Sequence, residues 1–91
     1  MAIRVEFYGL ARQRAGIASL TLDLPAEART LSGLLTEVAR RLPLLGEELI
    51  VEGRLHSALA ANLDGQRFIS DPATPIRAGQ CLLILSADAG G

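Results

Sequence analysis

Apolar and polar residues alternate from the start of the chain: Ile3, Val5 and Phe7 fall on one face of an extended segment, and Arg4, Glu6 and Tyr8 on the other. A period of two over this length predicts a strand with one buried face. Gly9 ends it, and Leu10 to Ala15 has mixed polarity before Gly16. Leu20, Leu22 and Leu24 then alternate with Ser19, Thr21 and Asp23, and Pro25 stops this second strand. The short connection makes the two strands an antiparallel pair. Leu31, Leu34, Leu35, Val38, Ala39 and Leu42 recur at helical spacing and predict an amphipathic helix. Thr30 is its expected N-cap and Pro43 its expected end. From Leu44 to Ser57, Gly46, Gly53 and Glu47-Glu48 predict a turn with a short helical piece, then a loop. A third strand is expected at Ala58 to Leu63, turning through Asp64-Gly65 into a return strand, Gln66 to Ser70. After the Asp71 to Pro75 loop and the Ala78-Gly79-Gln80 turn, the last strand, Cys81 to Ser86, has five successive apolar positions. Such a strand belongs in the middle of a sheet, covered on both faces or on one face by a partner.

The order is β-β-α-β-β-β with one substantial helix, which predicts an α+β domain. Its expected form is a mixed sheet of four to five strands with the helix packed across one face. If the last strand lies beside the first, the two run parallel, and the architecture is the β-grasp, the ubiquitin-like fold. Ninety-one residues suffice for one core, not two. The expected division is a β-grasp domain at 1–86 and a C-terminal tail at 87–91.

Nine Arg, no Lys, ten acidic residues and one His give a formal net charge of -1, which argues against nucleic acid as the partner. No apolar run approaches the ~18–20 residues that span a bilayer, so no membrane partner is expected. The charged N-terminal segment does not read as an export signal, and Cys81 has no second cysteine to pair with, so the expected location is the cytoplasm. One His and one Cys do not make a zinc set, so no metal site is expected. Cys81 reads as a small buried residue rather than a reactive thiol, and His56 as a solvated loop side chain.

The last strand hands over through Ser86-Ala87-Asp88-Ala89 to Gly90-Gly91. Glycine carries no Cβ, so such an end can thread a channel too narrow for other residues. A frayed terminus is often small and polar too. Taken alone the tail leaves both readings open, a frayed end and a functional one with the Gly91 carboxylate as the reactive group.

The chain resembles the small sulfur-carrier proteins, the family of molybdopterin synthase small subunits and thiamin-pathway sulfur carriers. The opening IRVEFYGLARQRAG is similar to that family's first strand and short helical turn, and TLSGLLTEVARRLP to its helix. ALAANLDGQRFISDPATPIRAGQCLLILSADAGG is similar to its closing half, Gly-Gly included. The departures are Gly79-Gln80 where the family often has Gly-Asp, Ser86-Ala87 where it often has proline, and Ile84-Leu85 where aromatics are common. The extra length at residues 44–57 points to the molybdopterin-type branch, or to a relative serving cysteine synthesis or tRNA thiolation.

The resemblance implies a covalent co-substrate rather than an enzyme. An E1-like adenylating enzyme using ATP and Mg²⁺ would activate Gly91, and a persulfide donor would convert it to a thiocarboxylate. A sulfur-accepting enzyme, such as a molybdopterin synthase large subunit, would receive the sulfur. No cofactor is expected on this chain itself. Gly90 would be needed for entry into the partner's channel, and Tyr8, Phe68, Leu83 and Leu85 are the expected docking residues. Thiamin, cysteine and tRNA thiolation pathways remain open as recipients. So do two other roles: a ubiquitin-like interaction module, and a protein modifier whose lysine acceptor lies on another molecule.

Overall fold

The computed structural model describes residues 2–87; residues 88–91, and with them Gly90 and Gly91, lie outside the described residues. In chain order the elements are β1 (Ile3–Phe7), α1 (Gly9–Ala15), β2 (Ser19–Leu22), a 3₁₀ turn (Ala26–Ala28), α2 (Leu31–Arg41) and α3 (Pro43–Leu49). They continue with β3 (Ile50–Val51), β4 (Arg54–Leu55), β5 (Leu59–Leu63), β6 (Arg67–Ile69) and β7 (Cys81–Ser86).

Five strands form one mixed sheet in the order β2-β1-β7-β5-β6. β1 is antiparallel to β2, with Val5 opposite Leu20, and parallel to β7, with Val5 opposite Leu82. β7 is antiparallel to β5, and β5 to β6. The last strand therefore does lie between the first strand and β5, and the architecture is a β-grasp. Asp64 and Gly65 both have positive φ and Gln66 N–H donates to Leu63 O at 3.0 Å, so the predicted tight turn joins β5 to β6.

One face of the sheet meets the helices. Ile3, Val5, Phe7, Leu82 and Ile84 are each at most 1% exposed and pack in one cluster with Leu34, Leu35 and Val38 of α2. Each such side chain contributes about 1.5–3 kcal/mol by leaving water. Helix α2 starts as its sequence predicts: Thr30 Oγ1 accepts a 3.1 Å hydrogen bond from Gly33 N–H. The long connection from β6 back to β7 is tied to that same end, with Leu31 N–H donating to Thr74 O at 2.9 Å and Ser32 N–H to Pro72 O at 3.0 Å.

Residues 43–57 differ from expectation. Pro43 ends α2 but also opens α3 at its first turn, where a missing N–H costs nothing. Gly46 is not a turn residue: it lies buried inside α3, where α3 crosses α2. A Cβ at Gly46 would come within 2.8 Å of Ala39 Cα, Cβ and O, so the helices approach this closely only over glycine. The expected loop is a two-stranded antiparallel ribbon, β3 with β4, turning at Glu52-Gly53. Leu45, Leu49 and Ile50 from this region join the core. The helical layer is thus three helices rather than one.

Candidate functional site

β7 is apolar from Cys81 to Leu85 but has two different sides. Leu82 and Ile84 face the core and are fully buried, whereas Cys81, Leu83 and Leu85 are half-buried on the opposite, open face. The register extends that face across the sheet. Leu83 lies opposite Glu6 of β1 and opposite Asn62 of β5, and Asn62 lies opposite Phe68 of β6. Side chains paired in register share a face, so Glu6, Leu83, Asn62 and Phe68 form one row.

Three of the four expected docking residues come together. Tyr8, Leu83 and Leu85, with Gly9 and Ser86, line a shallow apolar hollow of about 300 Å³ at the end of β7. Phe68 stands apart at the sheet edge and is 64% exposed. It also lines a larger groove of about 630 Å³, floored by Leu31, Leu35, Leu55 and Leu59, with Arg54 and His56 at the rim.

The hollow adjoins the point where the chain leaves the sheet. Tyr8 N–H donates to Ile84 O at 2.9 Å on one side of β7, and Ala87 N–H donates to Ala58 O at 2.8 Å on the other. Gly9 has φ +54, and a Cβ there would meet Ser86 Oγ at 2.8 Å. The left-handed backbone at this position favours glycine, and the missing Cβ leaves room for the Ser86 hydroxyl. In sequence Gly9 marks only the end of a strand; its contact with Ser86 arises from the parallel pairing of β1 and β7.

Electrostatics on the open face centre on Glu6. Tyr8 Oη donates to Glu6 Oε1 at 2.6 Å and Arg4 Nε donates to Glu6 Oε2 at 2.9 Å. These donors hold the Glu6 carboxyl below its usual range, the Tyr8 bond contributing most, and the same bond pushes the Tyr8 phenol up. Sequence reasoning picked Tyr8 for exposure but missed Glu6, although an acid and a tyrosine two apart on one strand already share a face.

Asn62 was also missed. It is 9% exposed, and its Oδ1 is buried with no hydrogen-bond partner among the described residues. The signal was present in sequence as one amide inside the apolar run Ala58 to Leu63.

Cys81 is half-buried rather than buried as expected, because it lies on the open face of β7, and His56 is exposed as expected. Burial pushes the Cys81 thiol up, away from a reactive thiolate. Asp64 fixes the start of β7 by accepting from Cys81 N–H at 2.8 Å and from Gln80 Nε2 at 3.2 Å. His56 Nδ1 accepts from Ala58 N–H at 3.0 Å and is exposed. Among the described residues no group of three His, Cys, Asp or Glu is placed to hold a metal ion, and no helix is long and apolar enough to cross a membrane.

No family model matches the sequence, and no curated protein is significantly similar to it. Solved structures do resemble it in fold. SAMP1 from Haloferax volcanii superposes with a TM-score of 0.79 at 16% identity, over 100% of both chains. A putative molybdopterin converting factor subunit 1 from Pyrococcus furiosus gives 0.75 at 21% identity, over 93% of this chain and 95% of that one. A chain of the Amycolatopsis orientalis BexX/CysO complex gives 0.71 at 22% identity, over 99% and 100%.

Proposed function

We propose that this protein is a ubiquitin-like sulfur carrier, with Gly91 as the atom-bearing end and the open face of the sheet as its docking surface. The carrying observation is the exit of the chain. A central β7, held on both sides by β1 and β5, delivers Ser86 and Ala87 beside an apolar hollow, four residues ahead of Gly91. A rigid body with a docking patch next to a Gly-Gly end is what a partner needs to grip the domain while working on the terminus. The likeness to a molybdopterin converting factor subunit and to a chain of the BexX/CysO complex supports the same reading.

The chemistry follows from the carboxylate, which is a poor electrophile with no leaving group. The Gly91 carboxylate attacks the α-phosphorus of ATP held with Mg²⁺ by an E1-like partner, releasing pyrophosphate and leaving an acyl-adenylate. A persulfide sulfur then attacks the acyl carbon and expels AMP. Cleavage of the resulting acyl disulfide by a second thiol leaves the Gly91 thiocarboxylate and a disulfide on the donor side. Gly90 and Gly91 allow the narrow approach this requires. The acceptor proposed is a molybdopterin synthase large subunit, with the small-subunit role for this chain; thiamin, cysteine and tRNA thiolation are the other recipients. The chain supplies the covalent handle and the docking face, and its partners supply the catalysis, in the cytoplasm.

A second reading has its own support: SAMP1 of Haloferax volcanii is named a small archaeal modifier protein. With no lysine in the chain, an amide-bonded acceptor would lie on another protein.

The test is the intact mass of the protein after incubation with an E1-like adenylating enzyme, ATP, Mg²⁺ and a persulfide donor. The expected result is a gain matching one oxygen replaced by sulfur, localised to Gly91 and absent when Gly91 is deleted. A mass unchanged across several competent activating enzymes removes the carrier reading and leaves an interaction module.

A further inference from the structure

We propose that the groove floored by Leu31, Leu35, Leu55 and Leu59 holds this chain's own residues 88–91 in the free protein, with the Gly91 carboxylate paired to Arg54. A partner must then draw the terminus out before it can act on it. The inference rests on the carrier reading, which makes Gly91 the free carboxyl end, and adds how that end is kept.

The course of the chain leads there. Ser86 lines both the shallow hollow and the groove, but Ala87 lines only the groove. Ala87 N–H donates to Ala58 O at 2.8 Å, one step past the pairing of Ser86 with Leu59. Because β7 runs antiparallel to β5, the chain beyond Ala87 heads toward Ser57, His56 and Arg54, all of which line the groove. Gly91 lies four residues after Ala87, and Arg54 four residues before Ala58. Four extended residues reach about 13 Å, so the tail is long enough to follow the backbone from Ala58 back to Arg54.

The groove also suits what would arrive. Its floor is apolar, and Phe68, which the core leaves exposed, forms part of its wall. No Asp or Glu lines it among the described residues, and Arg54 is the one lining side chain with a formal charge. Arg54 takes no part in the ion pairs among the described residues, which use Arg4, Arg14, Arg40 and Arg41. Its planar fork of donors matches a carboxylate. His56 Nδ1 accepts from Ala58 N–H, which leaves Nε2 as a further donor on the same rim. The tail brings the opposite charge, the Asp88 and Gly91 carboxylates, with only Ala89 and Gly90 between them. Such small residues let a backbone lie close against the leucines. Tethering gives the tail an effective concentration on the order of millimolar, which favours it over the tail of a second copy.

The experiment compares wild type, Arg54→Gln and Arg54→Lys in two measurements. Arg54 is exposed, so all three are expected to fold. The first is NMR of the isolated proteins at two concentrations tenfold apart. In wild type and Arg54→Lys the Gly90 and Gly91 amides are expected to have order parameters above about 0.6, and in Arg54→Gln below it. Cross-relaxation from the Gly90 Hα protons to the Leu55 or Leu59 methyls should accompany the order. Order parameters below that limit in wild type, or contacts to Tyr8 or Leu83 instead, would overturn the proposal. So would Arg54→Gln behaving as wild type, and so would order lost on dilution, which would assign the groove to a second copy's tail. The second measurement is ATP–pyrophosphate exchange by the activating enzyme as a function of carrier concentration. Arg54→Gln is expected to lower KM at least threefold with kcat within twofold, because apparent affinity scales with the fraction of free tail. Arg54→Lys should stay within twofold of wild type. A KM unchanged or raised by Arg54→Gln would overturn the proposal. If wild type supports no exchange with any activating enzyme, the carrier reading fails, and the NMR measurement alone decides where the tail lies. A failure confined to the NMR or to the variants' pattern leaves the carrier reading intact.

Discussion

Tyr8 Oη donates a 2.6 Å hydrogen bond to Glu6 Oε1, two residues earlier on the same face of β1. That bond holds the one exposed tyrosine beside Leu83 and Leu85, and it is the largest reason the Glu6 carboxyl lies below its ordinary range, ahead of Arg4. Tyr8→Phe should therefore move the Glu6 titration upward, as read from its carboxyl ¹³C shift against pH. Because folding depresses this carboxyl, its contribution to stability is present above the ordinary carboxylate range and is lost as pH falls through the lowered value. Acid unfolding of Tyr8→Phe should begin at slightly higher pH than wild type. A Glu6 titration unchanged by the substitution would mean that the bond does not form in solution.

Tyr8→Asp should separate docking from folding. Tyr8 is 44% exposed and outside the core cluster, so the fold should survive with Tm within a few degrees. The new carboxylate faces Glu6 and charges an apolar hollow, so KM for the carrier in ATP–pyrophosphate exchange should rise tenfold or more. A variant that unfolds, or one that exchanges normally, removes Tyr8 from the docking surface.

Gly46→Ala should destabilise the protein although alanine is the better helix former. The added methyl would stand 2.8 Å from three atoms of Ala39, an overpacked contact between α2 and α3. Overpacking costs about 1–3 kcal/mol, against the roughly 1 kcal/mol that alanine gains over glycine in a helix interior. A fall in Tm is expected, at about 4–8 °C per net kcal/mol for a domain of this size. A rise in Tm would mean that the helices separate at no cost.

Glu37 gives the clearest acid signature. It accepts from Arg40 and from Arg41, one turn onward on α2, and these arginines lower its pKa to about 2. The stability it contributes is complete above its unfolded value near pH 4.5 and is lost as pH falls toward 2. Glu37→Gln should flatten the Tm profile between those limits. The effect should be a few degrees at most and weaken in high salt, because the group is solvent-screened. An unchanged profile would show that the pair does not form.

Much of the body was legible along the chain. The alternation of Ile3, Val5 and Phe7 and the spacing of Leu31, Leu34, Leu35 and Val38 each encode a buried face in a local period, so strand and helix follow from the residues alone. Thr30 and Asp64-Gly65 are local signals as well, since a cap and a tight turn are made by neighbours in sequence. Residues 43–57 were not legible for the opposite reason. Gly46 carries a turn signal by type, and only the approach of Ala39 from another helix turns it into a packing residue. Leu45, Leu49 and Ile50 are too few to set a period, and their burial is decided by the core they join.

Period, caps and turn residues act within a few positions of one another, so the α+β class, the faces of β1 and α2 and the Gly-Gly that follows the last strand could be read along the chain. The fold adds the parallel pairing of β7 with β1 that makes the sheet a β-grasp, and it puts Leu83, flanked by Glu6 and Asn62, on an open face while Leu82 and Ile84 are sealed. Only it decided that Gly9 lies under Ser86 at the chain's exit. Five consecutive apolar residues carry no period of two, so which of them face outward depends on the strands that pair with β7. Those strands come from segments tens of residues away, and no local pattern records their register.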